Sequence, residues 1–158
     1  MNIILLQLLM FFLPDCALAG ASKEPSVVIP LLEPLKSDAI ELGEGERDAY
    51  VFVDPKCLKS ADFLEAVREN AALRKRFHYY IFLYDMPQAP SAEVINAVYS
   101  APSPKEALFS YMLERKRISK KTNDTPRTAI ERIKRIKTAA ERIGIDRTPY
   151  LIVDKNKR

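Results

Sequence analysis

The stretch that decides the fold reads Val51-Phe52-Val53-Asp54-Pro55-Lys56-Cys57-Leu58-Lys59-Ser60. Its first part belongs to a nearly continuous apolar run, residues 49–54, which is typical of a central strand covered on both faces. Pro55 and Lys56 end this strand. Apolar residues then recur at helical spacing, which predicts a helix with Cys57 at its N-terminus. They are Phe63, Leu64, Val67, Ala71 and Leu73.

The predicted position of Cys57 indicates a reactive thiol. Unpaired N–H groups and the positive end of the helix dipole favour the thiolate, and Lys56 and Lys59 act in the same direction. The thiolate is the form that attacks disulfides. The alternative for Cys57 is a buried small hydrophobe, a common fate of free cysteine. Asp54 could tune the thiol from the strand end, but we prefer a solvated turn acid.

Elements on either side of this stretch predict an α/β fold. Residues 39–42 form a strand that a Gly-rich turn connects to residues 49–54, which predicts a hairpin. Ser103, Pro104 and Glu106 predict a capped helix start, with Pro at the first position and a capping box. Strand, helix, strand, helices and strand follow in order, so parallel strands with helical crossovers are expected. The downstream elements are a strand at 78–83, helices at 91–99, 103–117 and 125–143, and a strand at 150–153.

Basic residues cluster in two places without predicting a nucleic-acid partner. One set, at residues 132–137, alternates with isoleucines and is most simply the solvated face of an amphipathic helix that ends at Gly144. The other set lies at 115–117 and 120–121. Aromatic residues at 79–82 have no basic residues between them, which counts against a base-stacking surface. The predicted inner face of the helix is Ile130, Ile133, Ile136 or Lys137, Ala140 and Ile143.

The N-terminal region predicts export. An apolar run at residues 3–13 precedes Ala17-Leu18-Ala19, the order of a signal peptide spanning residues 1–19. The run is shorter than the roughly 20 apolar residues that cross a bilayer. The alternatives are a buried N-terminal helix and a lipoprotein acylated at Cys16. We therefore expect a periplasmic or secreted protein with an extended proline-rich leader, residues 20–38, and one domain, residues 39–158.

The counts of cysteine and histidine limit which disulfide and metal sites the chain can form. Removal of Cys16 with the signal peptide leaves Cys57 as one thiol, which cannot form an internal disulfide. An odd cysteine in an exported protein is paired between molecules or reactive. His78 is the single histidine, at a predicted strand edge, so we expect no metal site and no cofactor. The formal net charge of +4 is modest and does not itself indicate nucleic acid.

Two segments carry a resemblance to a known family. Residues 40–47 followed by 51–57 resemble the entrance to the catalytic domain of periplasmic disulfide isomerases of the DsbC/DsbG type. Residues 139–145 and 148–153 resemble that family's helix, Gly turn and Thr–cis-Pro strand. The resemblance covers about residues 38–153 and implies a thioredoxin-like fold with a helical insertion. It also implies that Thr148 and Pro149 face Cys57 and bind substrate, with a cis bond between them.

The sequence departs from that family in three ways. Ser60 occupies the place of the second cysteine in the C-x-x-C motif, so a dithiol redox cycle is excluded but isomerisation is not. We interpret Ser60 as an ordinary first-turn helix residue. Residues 20–38 are too short for the family's dimerisation domain. The chain ends soon after Val153, so the closing strand and helix of a thioredoxin fold are expected to be missing.

Two functions are consistent with these residues. The first, which we prefer, is monothiol disulfide exchange or isomerisation with Cys57 as nucleophile, Lys56 as a thiolate stabiliser, and Thr148 and Pro149 as the substrate-docking loop. Its partners would be exported client proteins, bound through mixed disulfides. The second is a non-catalytic thioredoxin-fold accessory that binds an exported or envelope protein during folding or assembly.

Overall fold

A computed structural model describes residues 23–87, 90–118 and 126–155. The predicted signal peptide, residues 1–19, and Thr125, the first residue of the helix predicted at 125–143, lie outside these residues. No helix in the described ranges combines the length and apolar character needed to cross a bilayer. The elements are α1 (Pro25–Leu32), a 3₁₀ helix (Glu33–Asp38), β1 (Ile40–Leu42), β2 (Arg47–Val53), α2 (Leu58–Glu69), α3 (Ala71–Arg76), β3 (Phe77–Leu83), α4 (Ala92–Tyr99), α5 (Pro104–Met112), α6 (Pro126–Ile143) and β4 (Tyr150–Val153).

The four strands form one sheet in the order β1-β3-β2-β4. β2 and β3 are parallel and are connected through α2 and α3, as the alternation of strand and helix predicted. β4 runs antiparallel to β2 on its other side, so the expectation of parallel strands is wrong for this last strand. Residues 49–53 of β2 are fully buried, which agrees with the prediction of a central strand. The predicted helical insertion is α4, α5 and α6, between β3 and β4.

The predicted hairpin between the first two strands is wrong. β1 pairs antiparallel with β3, with Ile40 opposite Ile81. Both sides of β2 are already paired, with β3 and β4, so β1 must join the sheet at its other edge. The connection passes the end of α3, where the Glu44 amide donates to the Arg74 carbonyl at 2.9 Å. Gly43 makes this path feasible because its φ of +90° and the nearby backbone disfavour a side chain.

Residues 25–38 are helical, where we predicted an extended leader. Pro25 occupies the first turn of α1, a position that proline tolerates well. Val28, Leu32 and Leu35 follow at spacings of four and three residues and are buried. Burial of this apolar stripe explains the helix, because it places the segment in the same core as the sheet.

A partly buried ion pair fixes this segment to α6. The Asp38 carboxylate accepts hydrogen bonds from Arg135 Nε at 2.7 Å and Nη2 at 2.6 Å. The Asp38 side chain is 5% exposed, whereas that of Arg135 is 51% exposed. From the sequence we interpreted the basic residues of α6 as its solvent-exposed face. Arg135 departs from this interpretation, because it also holds α6 to the segment that ends at Asp38.

The helices differ from their predicted extents in two places. The helix after Cys57 breaks at Asn70, whose side chain caps α3 by accepting from the Ala72 and Leu73 amides. α5 ends at Met112 and not near residue 117, and Arg115 adopts a left-handed φ of 54°. Pro104 opens α5 as predicted, but the Ser103 side chain makes no capping hydrogen bond, so the predicted capping box does not form.

The buried face of α6 is only partly the predicted one. Ile136, Ala140 and Ile143 are buried, but Ile130 is 58% exposed. Ala129 takes its place in the core. Gly144 ends the helix with a φ of +83°, in agreement with its predicted position after the last helical residue.

Candidate active site

Cys57 lies where the central strand meets a helix. β2 ends at Val53, a short turn follows, and α2 begins at Leu58 with Cys57 as its N-cap residue. The Cys57 amide donates to the Asp54 carbonyl at 3.0 Å, and the Cys57 carbonyl accepts from the Ala61 amide at 3.1 Å. These bonds hold the backbone on both sides of the thiol. The side chain is partly exposed, so the thiol is accessible and is not core packing.

The loop before β4 completes the site. The Thr148–Pro149 peptide bond is cis. Cys57 Sγ lies 3.3 Å from the Thr148 carbonyl oxygen and, as a thiol, donates to it. The antiparallel pairing of β4 with β2 brings this loop to the end of β2, where Cys57 follows. Two segments 91 residues apart in sequence therefore meet at the thiol.

The surroundings of Cys57 favour its thiolate. Burial alone would raise the pKa of the Cys57 thiol, but hydrogen bonds to the thiolate outweigh burial and hold the pKa below its ordinary value. The donors are the Thr148 side chain, the backbone and side chain of Ser60, and the Lys59 backbone. Two of these are first-turn amides of α2, so the helix N-terminus acts as the sequence predicted.

The flanking lysines have a smaller part in this pKa than we expected. Lys56 Nζ donates to the Pro90 carbonyl at 2.5 Å and not to the thiol. The contribution from Lys59 comes from its backbone, and its side chain is exposed. Thiolate stabilisation at Cys57 therefore comes mainly from hydrogen bonds.

Ser60 is the site residue whose part the sequence did not indicate. We interpreted it as an ordinary first-turn residue, but it is fully buried, and hydrogen bonds from its backbone and side chain lower the pKa of Cys57. Its hydroxyl also lies 3.4 Å from the Asp54 amide, from which it accepts a weak hydrogen bond. A polar residue three positions after an N-cap faces the same side of the helix as the cap, and this spacing was the available signal.

Asp54 is not the solvated turn acid that we expected. It is 1% exposed. One carboxylate oxygen accepts from the Lys56 amide at 2.8 Å, and the other accepts from the Met86 amide at 3.1 Å. Asp54 therefore connects the turn before Cys57 to the segment after β3. Through this connection it positions the backbone that carries the thiol.

His78 lies away from the thiol, as the second residue of β3. Its Nε2 is 2.8 Å from a Glu41 carboxylate oxygen, and its ring stacks on Tyr80 with centroids 4.6 Å apart. In the described residues, no group of three or more His, Cys, Asp or Glu side chains could hold a metal ion.

Comparison with known proteins identifies the fold. No protein-family model and no curated protein matches the sequence. The structure resembles Proteus mirabilis ScsC in a compact conformation, with 15% identity, 82% of this chain and 76% of that chain covered, and a TM-score of 0.61. It also resembles a disulfide interchange protein from Neisseria gonorrhoeae, with 19% identity, 73% and 79% coverage, and a TM-score of 0.57. The chain has a thioredoxin-like fold.

A third solved structure has the same fold. It is the thiol-disulfide exchange protein alpha-DsbA2 from Wolbachia pipientis, with 12% identity, 82% of this chain and 86% of that chain covered, and a TM-score of 0.52. Identities this low establish the thioredoxin-like fold alone. The resemblance to the DsbC/DsbG type concerns one family within this fold. The three structures carry other names and do not test that narrower resemblance.

Proposed function

We propose that this protein is an exported monothiol disulfide-exchange protein that rearranges the disulfides of exported clients through Cys57. The observation that carries the proposal is the partly exposed thiol at the start of α2, hydrogen-bonded so that its pKa lies below the ordinary value. An accessible cysteine with a lowered pKa is the usual nucleophile in disulfide exchange. The thioredoxin-like fold supports the same chemistry.

The proposed reaction needs one protein thiol. The Cys57 thiolate attacks one sulfur of a client disulfide, a bond forms between the two, and the other client sulfur leaves as a thiolate. A different client thiolate then attacks the client sulfur of this mixed disulfide. A new client disulfide forms and the Cys57 thiolate is released. No net oxidation or reduction occurs, so Ser60 in place of a second cysteine does not prevent the reaction.

The neighbouring residues have defined parts in this proposal. Thr148 and Pro149 form the docking loop, as the sequence resemblance implies, and the contact of Thr148 with Cys57 would place client backbone beside the thiol. Lys56 adds positive charge at the entrance to the site. Export rests on the predicted signal peptide, so protein recovered from the periplasm or medium should begin at Gly20 by intact-mass measurement. A full-length mass would contradict export by this route.

The direct test is the recovery of native activity by a ribonuclease whose disulfides have been scrambled. The wild-type protein should accelerate recovery when a small amount of free thiol is present, and Cys57→Ala should not. Ser110→Ala provides a control, because the Ser110 hydroxyl, on α5, donates to the Glu114 carboxylate and not to the site. Equal acceleration by Cys57→Ala would refute the proposal.

A second cysteine at position 60 should add reductase activity. Ser60 follows Cys57 at the C-x-x-C spacing, so Ser60→Cys should create a dithiol that reduces insulin disulfides in the presence of a reductant. Cys57→Ser should trap no mixed disulfides with clients. A folded Ser60→Cys protein that reduces no insulin would show that the site does not support exchange and would favour the alternative below.

The alternative is client binding without chemistry. Leu58, directly beside Cys57, is 75% exposed, and an exposed leucine at this place could contact unfolded polypeptide. The two functions separate in an aggregation assay with a client that contains no cysteine. A binding module would suppress aggregation equally as wild type and as Cys57→Ala, and Leu58→Ser would abolish the effect. An exchange protein would not suppress the aggregation of a client without cysteines, and in the ribonuclease assay Cys57→Ala would remove its activity.

A further inference from the structure

A groove of about 350 Å³ opens beside Cys57. One wall is formed by residues 55–58 and Ala61. The opposite wall is formed by the end of α5 and by residues 115–117. Its volume lies within the range of small binding clefts in proteins, about 300–1,000 Å³. A segment bound in the groove would lie next to the sulfur that the proposed reaction uses.

The chain after α5 is held in place by its own contacts. The Leu113 amide donates to the Phe109 carbonyl at 2.9 Å, and the Lys116 amide donates to the Ser110 carbonyl at 2.9 Å. Arg115, between them, has a left-handed φ of 54°. Ile118 packs against the core and anchors the far end. Three consecutive basic residues are thereby fixed in the lining of the groove that Cys57 shares.

The groove is strongly basic. Four of its lining residues are cationic: Lys56, Arg115, Lys116 and Arg117. Among the described residues that line it, none is acidic. Glu114, just outside, pairs with Lys116 at 2.8 Å and offsets one charge. The Lys56 ammonium donates to the neutral Pro90 carbonyl, which does not offset its positive charge. The remaining surface is apolar and includes Leu58 and Met112.

We infer that this groove binds an acidic, extended segment of client polypeptide that flanks the client cysteine under attack. The inference rests on the proposed function and specifies its substrate class. Clustered cations beside the thiolate raise the local concentration of an anionic segment and speed its encounter. The apolar surface suits the aliphatic part of glutamate side chains. Tyr111 is the single aromatic residue on the described wall, which favours polypeptide over stacked nucleotides.

The experiment compares three peptides that differ only in charge. Each carries one cysteine, joined by a disulfide to 2-mercaptoethanol and flanked by Glu, Gln or Lys. The Cys57 thiolate attacks the peptide sulfur, and 2-mercaptoethanol leaves as its thiolate. At 20 mM salt the Glu peptide should react about tenfold faster than the Lys peptide. At 0.5 M salt, where screening is strong, the difference should fall to about twofold.

Charge reversal in the groove should reduce this preference. Arg117→Glu should lower the Glu-to-Lys rate ratio about threefold or more at low salt. Lys134→Glu is the matched control, because it makes the same change in net charge on the exposed surface of α6, outside the groove. The ratio in Lys134→Glu should equal the wild-type ratio, and both variants should unfold at the wild-type urea concentration.

The outcomes separate this inference from the proposed function. Equal rates for all three peptides would overturn the acidic groove and leave disulfide exchange standing. If no peptide reacts, exchange fails, and the groove is then tested by fluorescence anisotropy of the labelled, cysteine-free Glu peptide with Cys57→Ala. Salt-sensitive binding that Arg117→Glu removes would support the groove, and no binding would overturn it. The inference would also be overturned if a single-stranded oligonucleotide bound more tightly than the Glu peptide and Arg117→Glu removed that binding.

Discussion

Replacing Ser60 by alanine tests how the site stabilises its thiolate. The substitution removes the hydroxyl that bonds to Cys57 and leaves the backbone donors of Ser60 and Lys59 in place. The Thr148 side chain also remains. The variant should therefore have a higher Cys57 pKa than the wild type. The Asp54 amide loses only a long contact of 3.4 Å, so the fold should be retained.

The size of the effect follows from one lost hydrogen bond to a charged group. Such bonds contribute about 1.5–3 kcal/mol when they are well shielded. Cys57 is partly exposed, so screening by water reduces this to roughly 0.7–1.4 kcal/mol. At a pH below the midpoints of both proteins, the thiolate fraction should fall about three- to tenfold. The more basic thiolate is also more nucleophilic, which leaves a rate loss of about two- to fourfold.

The assay is the pH dependence of alkylation of Cys57 by iodoacetamide in the folded protein. The midpoint of the Ser60→Ala profile should lie at higher pH than that of the wild type. Ser110→Ala, which removes a hydroxyl from α5, should have the wild-type midpoint. An unchanged or lowered midpoint for Ser60→Ala would refute the assignment of Ser60 as a thiolate donor. A thiol that reacts only after denaturation would refute the site as a whole.

Four further predictions follow from named contacts. Thr148→Val keeps the shape of the side chain but removes its hydroxyl, so the alkylation midpoint of Cys57 should also rise. Asp54→Ala leaves two backbone amides without their carboxylate and should lower the free energy of urea unfolding by about 2–4 kcal/mol, with Asp54→Asn costing less. Asp38→Ala leaves Arg135 unpaired; because the guanidinium is half exposed, the loss should be about 1–3 kcal/mol and not the 3–5 kcal/mol of a fully buried pair. The pKa of Cys57 is lower in the folded state than the ordinary value of 9.0, so the stability of the reduced protein relative to Cys57→Ala should be greatest above pH 9.0 and decline as the pH falls through the folded-state pKa.

The parts of the site that sequence predicted are those set by local patterns. The buried strand, the proline turn and the helical spacing after it are contiguous, so they place Cys57 without knowledge of the rest of the chain. Thr148 and Pro149 came from a resemblance over a short segment. For Cys57 and for the Thr148–Pro149 loop, the signal that predicts the site lies within a few neighbouring residues of the sequence.

The parts that sequence missed depend on contacts between distant segments. Ser60 and Asp54 are polar residues next to a turn, a pattern more often exposed than buried, and only packing against the rest of the domain buries them. The pairing of β1 with β3 depends on which edges of β2 are taken by β3 and β4. The helical residues 25–38 had a visible signal in the spacing of Val28, Leu32 and Leu35, but their prolines favoured an extended interpretation.

The same hydrogen bonds that stabilise the free thiolate bear on its release from a client in the proposed reaction. When a client thiol attacks the mixed disulfide, Cys57 is the leaving group, and a thiol of lower pKa leaves faster. A dithiol protein escapes from a trapped client by using its second cysteine, and Ser60 cannot do this. Hydrogen bonds from Ser60, Lys59 and Thr148 lower the pKa of Cys57 and make it a better leaving group. In the proposed reaction, this faster departure takes the place of attack by a second cysteine. This favours repeated exchange among client thiols over net oxidation, because each cycle returns Cys57 in the form in which it began.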